Sequence, residues 1–193
     1  GQTASLNIIA PEANKQIASE GREISISSAG DDVVIEAPTN VTSIELAQSG
    51  GDAAILKLEA DMVAKVSGGD MTISEFTGKI QASVEGGDAV LSGISSTSVE
   101  VRTEGGDTNL NMLAPIEEGS IILSGNDDIS LVLPAESKCE ISASAGGDIE
   151  NSLPQEALEI IEEKDNYLNV KLNGGGAEIT LASSSGDISV GTV

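Results

Sequence analysis

Apolar and polar residues alternate in short runs that recur along most of the chain. One run places Met62, Ala64 and Val66 on alternate positions, and the next places Ile80 and Val84 on equivalent ones. Successive side chains of a β-strand point to opposite faces, so a period of two predicts strands with one buried face. The residues predicted to point inward include Val66, Val84, Val101, Leu123, Ile141 and Leu181.

A glycine-aspartate marker follows each run and gives the length of the repeat. The marker aspartates are Asp31, Asp52, Asp70, Asp88, Asp107, Asp127, Asp148 and Asp187. The interval from Asp148 to Asp187 is about twice as long as the others, so one marker is missing from it. The span from Asp31 to Asp187 therefore divides into eight units of about 20 residues each. Apolar residues also recur six positions after a marker, at Leu58, Phe76, Ile94 and Leu113.

A unit of about 19 residues is too small to close a hydrophobic core, whereas stacked units cover one another's apolar edges. The repeat therefore predicts an all-β, single-domain β-solenoid over residues 1–193, with about eight or nine coils of roughly 18–21 residues. Residues 1–29 are expected to form an N-terminal cap or first coil, and residues 30–153 the regular coils. Residues 154–193 are expected to form the C-terminal coils, with an atypical segment at 154–173.

Two segments differ from the regular units. The N-terminal strings Ala4–Ile9 and Glu23–Ile26 alternate like strands. The segment Pro154–Glu163 is compatible with a short helix that has proline in its first turn, and also with a strand. Alternation on both sides of Asp165–Asn166, continuing through Tyr167–Leu172, favours two strands joined by a turn.

The composition agrees with a narrow, repetitive interior. Apolar residues make up 39% of the chain but aromatic residues only 1%, whereas large globular cores use aromatics to fill irregular space. The 22 glycines, against five prolines, favour many tight turns. No apolar stretch is long enough for a membrane helix, so the chain is not expected to span a membrane. The single cysteine, Cys139, excludes an internal disulfide.

Net charge narrows the choice of partner. The 32 acidic and nine basic residues give a net charge of −23. Phosphate backbones and anionic lipid surfaces are bound by clustered Lys and Arg. The basic residues here are scattered, so neither nucleic acid nor an anionic membrane surface is an expected partner. The acidic excess is typical of a soluble, self-repelling surface. Affinity for cations or for a basic partner, and a salt-rich habitat, are the alternatives.

The marker aspartates form the first candidate site. In stacked coils a column with neighbours about 5 Å apart could form and could bind a cation such as calcium; its members would be Asp52, Asp70, Asp88, Asp107, Asp127 and Asp148. Alternatively, each carboxylate accepts hydrogen bonds from turn amides while glycine supplies positive φ angles. The second interpretation is preferred, so no metal ligand and no cofactor is assigned.

Catalytic chemistry finds little support in the sequence. Asp31–Asp32 and Asp127–Asp128 are adjacent acidic pairs, and glycoside cleavage needs paired carboxylates. Neighbouring residues of a strand point to opposite faces, however, which argues against convergence. The chain has no histidine, the commonest general base, so no catalytic residue is assigned.

Cys139 continues an inward series and is expected to be a small buried hydrophobe. Asn40 begins a glycosylation sequon to which no role is given.

Four segments near the C-terminus are similar to a known bacterial family. They are Asp128–Pro134, Ser142–Ile149, Leu172–Leu181 and Ser185–Ile188, which contain short Gly-Asp-Ile turns, a glycine run and a final Ser-Gly-Asp-Ile. This ordered series resembles the bacterial adhesin-like domain known as domain of unknown function 4097, most closely over residues 120–190 and from about residue 30 onward. The resemblance implies a β-helical, adhesin-like repeat domain that is often associated with the cell envelope. It implies no catalytic residues. Many Gly-Gly-Asp copies here stand where that family has Ser-Gly-Asp.

The pattern and the resemblance together predict a non-enzymatic, adhesin-like binding protein, extracellular or associated with the cell envelope, although no signal peptide is visible in this chain. The expected ligand is an unidentified protein or glycan on a surface, and self-association is left open. A structural or envelope-stress-related scaffold rod is the alternative, and a carbohydrate-active β-helix enzyme is the third hypothesis. Long coil insertions converging on a cleft would favour the enzyme, whereas the repeats here are uniformly short.

Overall fold

The alternating runs form β-strands, which dominate the structure. The structure, a computed structural model, describes residues 7–9, 15–20, 22–36 and 41–193. Part of the predicted strand at Ala4–Ile9, and the sequon residue Asn40, lie outside the described residues. In chain order the strands are β1 (Asn7–Ile9), β2 (Lys15–Glu20), β3 (Glu23–Ala29), β4 (Val33–Glu36), β5 (Ser43–Ser49), β6 (Ala53–Leu56), β7 (Asp61–Ser67), β8 (Met71–Thr77), β9 (Ile80–Glu85), β10 (Ala89–Ser95), β11 (Ser98–Glu104), β12 (Thr108–Met112), β13 (Ser120–Gly125), β14 (Ile129–Leu133), β15 (Cys139–Ser144), β16 (Ile149–Ser152), β17 (Leu158–Lys164), β18 (Tyr167–Leu172), β19 (Ala177–Ser183) and β20 (Ile188–Thr192).

The described strands form two facing sheets. Sheet A has the order β1-β4-β6-β8-β10-β12-β14-β20-β16, and sheet B has the order β17-β18-β15-β19-β13-β11-β9-β7-β5-β3-β2. Each regular coil gives one strand to each sheet, and strands of neighbouring coils pair in parallel, as β7 does with β9. The predicted all-β solenoid is therefore confirmed. In the described part of the chain, no helix is long and apolar enough to cross a membrane.

Six coils stack in chain order, from β3–β4 to β13–β14. Each step is about 20 residues long, as the register partners on the inner face of sheet B show: Ile24, Ile44, Met62, Ile80, Val99 and Ile121. This run is shorter than the eight or nine successive coils that were predicted. The difference arises at the C-terminus, where the coil β19–β20 lies between β13–β14 and β15–β16 instead of following them.

Antiparallel strands close both ends of the described stack. At one end β1 pairs with β4 and β2 pairs with β3. At the other end β18 pairs with β15, and β17 pairs with β18. The atypical segment is thus a strand hairpin, preceded by a single turn of 3-10 helix at Gln155–Ala157, which confirms the strand interpretation. The long interval between Asp148 and Asp187 holds this hairpin, so the predicted coil with a missing marker was wrong.

One aliphatic core fills the space between the sheets. The six inward residues named from the sequence are each at most 1% exposed: Val66, Val84, Val101, Leu123, Ile141 and Leu181. The prediction failed at Leu113, which is 68% exposed. In β10 the extra residue Gly93 makes a bulge, so Ile94 pairs with Met112 of the next strand. Met112 therefore takes the inward position, and Leu113 falls outside the strand.

Candidate functional site

An aspartate ladder runs along one corner of the solenoid, immediately before the strands of sheet A. In stack order its members are Asp32, Asp52, Asp70, Asp88, Asp107, Asp128, Asp187 and Asp148. At each step the backbone N–H of one aspartate donates to Oδ1 of its neighbour in the stack, at 2.8–3.1 Å. The carboxylates therefore join coil to coil.

The ladder corrects the predicted marker column in two coils. Asp128 takes the ladder position for which Asp127 was predicted, and Asp32 takes it in the first coil in place of the marker Asp31. In every coil the ladder residue is the one directly before a sheet A strand. The prediction that backbone amides would bond the carboxylates was right in kind, but the donor lies in the adjacent coil and not in the same turn.

Glycine precedes the ladder aspartate in six of the eight coils and allows the coils to approach at this corner. A Cβ atom added at Gly69 would lie 2.0 Å from the Gly51 oxygen, and one added at Gly106 would lie 2.2 Å from the Gly87 oxygen. Real Cβ atoms do not approach a carbonyl oxygen so closely, so any larger residue would force the coils apart. Close stacking therefore explains the glycine in these coils, whereas Asp31 and Asp127 hold the equivalent position in the other two.

The ladder gives every carboxylate from Asp32 to Asp187 a hydrogen-bond donor without an ion. Within the described residues, no group of three or more Asp, Glu, Cys or His side chains is arranged to hold a metal ion. The ladder therefore forms a row of hydrogen-bonded carboxylates along the corner that do not surround a metal position.

The adjacent acidic pairs do not form convergent sites. One member of each pair lies in the ladder, while the backbone oxygen of the other accepts a side-chain hydrogen bond. Gln48 Nε2 donates to the Asp31 oxygen, and Ser183 Oγ donates to the Asp127 oxygen at 2.7 Å. Their sequence adjacency therefore serves the turn between the two sheets.

Cys139 is fully buried in the inward face of β15. Burial raises the pKa of its thiol to about 12. A thiol with so high a pKa is not a nucleophile at neutral pH. The side chain therefore fills space, as predicted.

A groove of about 830 Å³ crosses the outer face of sheet B. It runs along the stack over the first residues of β3, β5, β7, β9 and β11 and over the last residues of β2, which is antiparallel to β3. Because the register repeats from coil to coil, equivalent outward residues form a continuous row: Ser25, Glu45, Val63, Gln81 and Glu100. At about 4.8 Å per strand the six strands under the groove span roughly 24 Å, a distance that an extended peptide of about seven residues would cover.

The groove is strongly negative with an apolar centre. Among the described residues that line it are five carboxylates, from Glu20, Glu23, Glu45, Asp61 and Glu100, and one ammonium, from Lys79. Val63 lies in the middle of the row and is 51% exposed. Gln81 Nε2 donates to Glu100 Oε2 at 3.3 Å, and the Lys79 amide donates to Asp61 Oδ1 at 3.0 Å.

Charges beside the groove are paired with each other. Lys65 Nζ lies 2.8 Å from Glu85 Oε1, and Arg102 lies 2.8 Å from Glu104 Oε1. The hydrogen bond from Lys65 holds the pKa of the Glu85 carboxyl below its ordinary value. Lys65 and Arg102 therefore neutralise acids outside the groove.

Sheet A presents a different outer surface. Two rows of outward residues cross its six central strands without a charged side chain: Ala54, Thr72, Val90, Asn109, Ser130 and Ser189, and Leu56, Ser74, Ser92, Asn111, Val132 and Gly191. The chain carries 32 acidic residues, so their absence from these rows separates a neutral face from an acidic one.

The sequence analysis did not identify the groove. Its acids occupy outward positions at the starts of successive strands, and each occurs in a different repeat. Aligning the repeats by their inward residues places Glu45, Val63 and Glu100 in one row, which was the available signal. The curvature that makes this row concave is not encoded by the alternation of apolar and polar residues.

The profile described as Toastrack DUF4097 matches residues 5–191. No curated protein and no solved structure matches this chain. The matched range extends on both sides of the segments in which the resemblance was first seen.

Proposed function

This chain belongs to the Toastrack DUF4097 family, and from that premise we propose that it is a non-catalytic, adhesin-like binding module that acts outside the cytoplasm or at the cell envelope. The groove on sheet B is the observation that carries the proposal. It is the proposed contact surface, and the partner is an extended polypeptide segment with basic side chains.

Charge complementarity supports a basic partner. Five carboxylates against one ammonium would attract Lys and Arg side chains, and the net charge of −23 would steer them at long range. Val63 offers an apolar contact at the centre of the groove, so the partner would place an aliphatic residue between its basic ones.

Composition favours a polypeptide over a sugar. Sugar sites commonly use aromatic faces, and the chain has one Phe, one Tyr and no Trp. Phe76 is completely buried, and Tyr167 lies in β18 at the far end of sheet B. The groove itself contains no aromatic residue among the described residues that line it.

The proposal assigns no catalytic residue. The chain lacks histidine, and its adjacent acidic pairs serve the turns between sheets. Its only cysteine is buried with a raised pKa. An activity on pectin or alginate that replacement of Asp127 or Asp128 abolishes would contradict this part of the proposal.

Binding can be tested with a labelled peptide in which Lys and Val alternate. Fluorescence anisotropy at low ionic strength should show saturable binding that weakens as salt is added. The double variant Glu45→Gln/Glu100→Gln should weaken binding about ten-fold or more, since each lost charge contact contributes roughly 1 kcal/mol.

The control has the same charge change on the same sheet face. Glu140 and Glu178 are outward register partners outside the groove, so Glu140→Gln/Glu178→Gln should leave the affinity nearly unchanged. Equal weakening by both double variants would show attraction to net charge alone and would remove the groove from the proposal.

A further inference from the structure

The coil β19–β20 is inserted into the stack and does not extend it. Strand β19 pairs on one side with β13 and on the other with β15, both in parallel. Strand β20 pairs in the same way with β14 and β16. The chain therefore completes β13–β14 and β15–β16 before it returns to place residues 177–192 between them.

We call residues 177–192, which form β19–β20, the insert, and the space between β13–β14 and β15–β16 its slot. The two coils that flank the slot are in matching register with each other. Ile121 and Ile141 both pair with Ile179, and Ile129 and Ile149 both pair with Ile188. Each flanking pair is thus separated along the chain by one coil length, about 20 residues. The coil β15–β16 therefore has the spacing and register to pair with β13–β14 directly, as consecutive coils do elsewhere in the stack.

Many contacts hold the insert once it is in place. Five of its side chains are at most 1% exposed: Ala177, Ile179, Leu181, Ile188 and Val190. Asn126 binds the turn between β19 and β20. Its backbone oxygen accepts a hydrogen bond from Ser185 Oγ at 2.6 Å, and its Oδ1 accepts one from Ser184 Oγ at 2.9 Å. Asp187 also supplies a rung of the aspartate ladder.

The insert is tethered by a short, glycine-rich connection. Asn173, Gly174 and Gly175 have φ angles of +50°, +85° and +83°. Gly176 passes between two coils, since an added Cβ would lie 2.6 Å from the Glu117 and Lys138 oxygens. Asn173 Nδ2 donates to the Ala135 and Ser137 oxygens at 2.8 Å. The conformation of residues 173–176 must therefore change if the insert enters the slot of another copy.

We propose that two copies of this protein exchange their C-terminal coils, each placing residues 177–192 between β13–β14 and β15–β16 of the other. The exchanged coil makes identical contacts in either copy, so only the tether changes conformation. A released coil would expose five buried apolar side chains in a monomer. Exchange therefore takes place during folding, because residues 177–192 follow both flanking coils in the chain and can enter the slot of either copy.

Exchange can be detected by disulfide trapping. Ser142 and Thr180 are register partners on the outer face of sheet B, one on the slot and the other on the insert. Paired strands bring Cα atoms within the range that a disulfide needs. The double variant Ser142→Cys/Thr180→Cys, in a Cys139→Ala background, should form an intramolecular bond when refolded dilute, which shows that the chain folds. Glu140 and Glu178 provide a second such pair.

The decisive sample mixes two single variants. Ser142→Cys protein and Thr180→Cys protein of different tag lengths are denatured, combined, refolded and oxidised in salt that screens their repulsion. Exchange yields the mixed disulfide dimer on a non-reducing gel. While monomer predominates, the ratio of dimer to monomer should rise about ten-fold for each ten-fold increase in protein concentration, by mass action.

A matched mixture controls for random oxidation. Thr72 lies on the outer face of sheet A, so Ser142→Cys mixed with Thr72→Cys should give only background dimer.

Deleting Gly174 and Gly175 should shift the protein towards dimer, because a shortened tether hinders insertion into its own slot. Mixed dimer at the control level at every concentration, with the shortened chain still monomeric, would overturn the proposal.

Discussion

Val101 illustrates how a single inward residue contributes to stability. It lies in β11 between Ala82 of β9 and Leu123 of β13, and it is completely buried. Each inward side chain contacts its equivalents above and below, so a deleted group leaves a gap that neither neighbour can fill without moving its own strand.

Val101→Ala should lower the free energy of unfolding by roughly 1–3 kcal/mol, through lost burial and the cavity left behind. Urea denaturation measures this difference. Val63→Ala removes the same atoms from a side chain that is 51% exposed, and it should cost much less. Similar costs for the two variants would mean that the inward register is wrong.

Cys139 predicts a pH dependence at alkaline pH. Its ordinary pKa is 9.0, and burial raises the pKa in the folded protein to about 12. Between these values the unfolded thiol loses its proton while the folded thiol keeps it. The thiol's contribution is therefore fully present below pH 9 and decreases as the pH rises towards 12.

Comparing the wild type with Cys139→Ala isolates this effect. The wild type should lose more stability than the variant between about pH 9 and pH 12 in urea denaturation. The native thiol should also react slowly with a disulfide reagent at neutral pH and rapidly after unfolding. If the free energies of unfolding of the two proteins fell equally over this pH range, the burial of a protonated thiol would be contradicted.

At the scale of single strands, the sequence predicts what depends on alternation and misses what depends on an added residue. The inward positions from Val66 to Leu181 follow the period of two and were predicted. Leu113 was not, because the bulge at Gly93 changes the register by one residue between neighbouring strands. The shift from Asp31 to Asp32 in the ladder has a similar origin, since adjacent acids leave the rung ambiguous.

The order of the coils is the part that no repeat pattern could reveal. The insert β19–β20 carries the same alternation and the same Gly-Asp marker as any other coil. Its neighbours are also spaced to pair directly. What decides its place is the hairpin β17–β18, which pairs with β15 and so occupies the position where the next coil would have stacked.

Variants at Asp88 test the ladder as a structural element. Asp88 Oδ1 accepts the Asp107 amide at 2.9 Å. Asp88→Asn keeps an acceptor at this position, and Asp88→Ala removes it. Both variants remove the same charge, so their difference measures the hydrogen bond. We expect the Asp88→Ala variant to be about 1 kcal/mol less stable than the Asp88→Asn variant, as measured by urea denaturation at moderate salt.

The comparison also separates bonding from repulsion. If repulsion along the ladder were dominant, both variants would be more stable than the wild type at low salt and would differ little from one another. Equal stabilities of the Ala and Asn variants would show that the coil-to-coil bonds contribute nothing measurable.

At the scale of the whole molecule, charge is distributed by face. Carboxylates occupy the ladder corner and the groove of sheet B, whereas two outward rows of sheet A are neutral. Partners attracted by the acidic excess would therefore meet the groove face or the ladder first. The neutral rows are the part of the surface where repulsion between copies is weakest.

The same distribution determines how cations should act. Oδ1 of each ladder aspartate from Asp32 to Asp187 accepts a backbone amide, and no described group of three or more acids is arranged around a metal position. Calcium takes six to eight oxygen ligands. The carboxylates of the ladder lie in a single exposed row and accept hydrogen bonds from backbone amides, so they do not converge on one point. We therefore expect salts to stabilise the protein by screening and not by site binding.

Thermal melts distinguish screening from binding. The protein is heated in chelator, in about 5 mM calcium chloride, and in about 15 mM sodium chloride, which has the same ionic strength. Both salts should raise the melting temperature over chelator, and by equal amounts, because a chain of net charge −23 gains stability whenever its repulsion is screened. Specific binding would instead raise the melting temperature further in calcium, by mass action on the folded state. If that occurred, Asp70→Asn would reduce the excess for a site on the ladder, and Glu45→Gln would reduce it for a site in the groove.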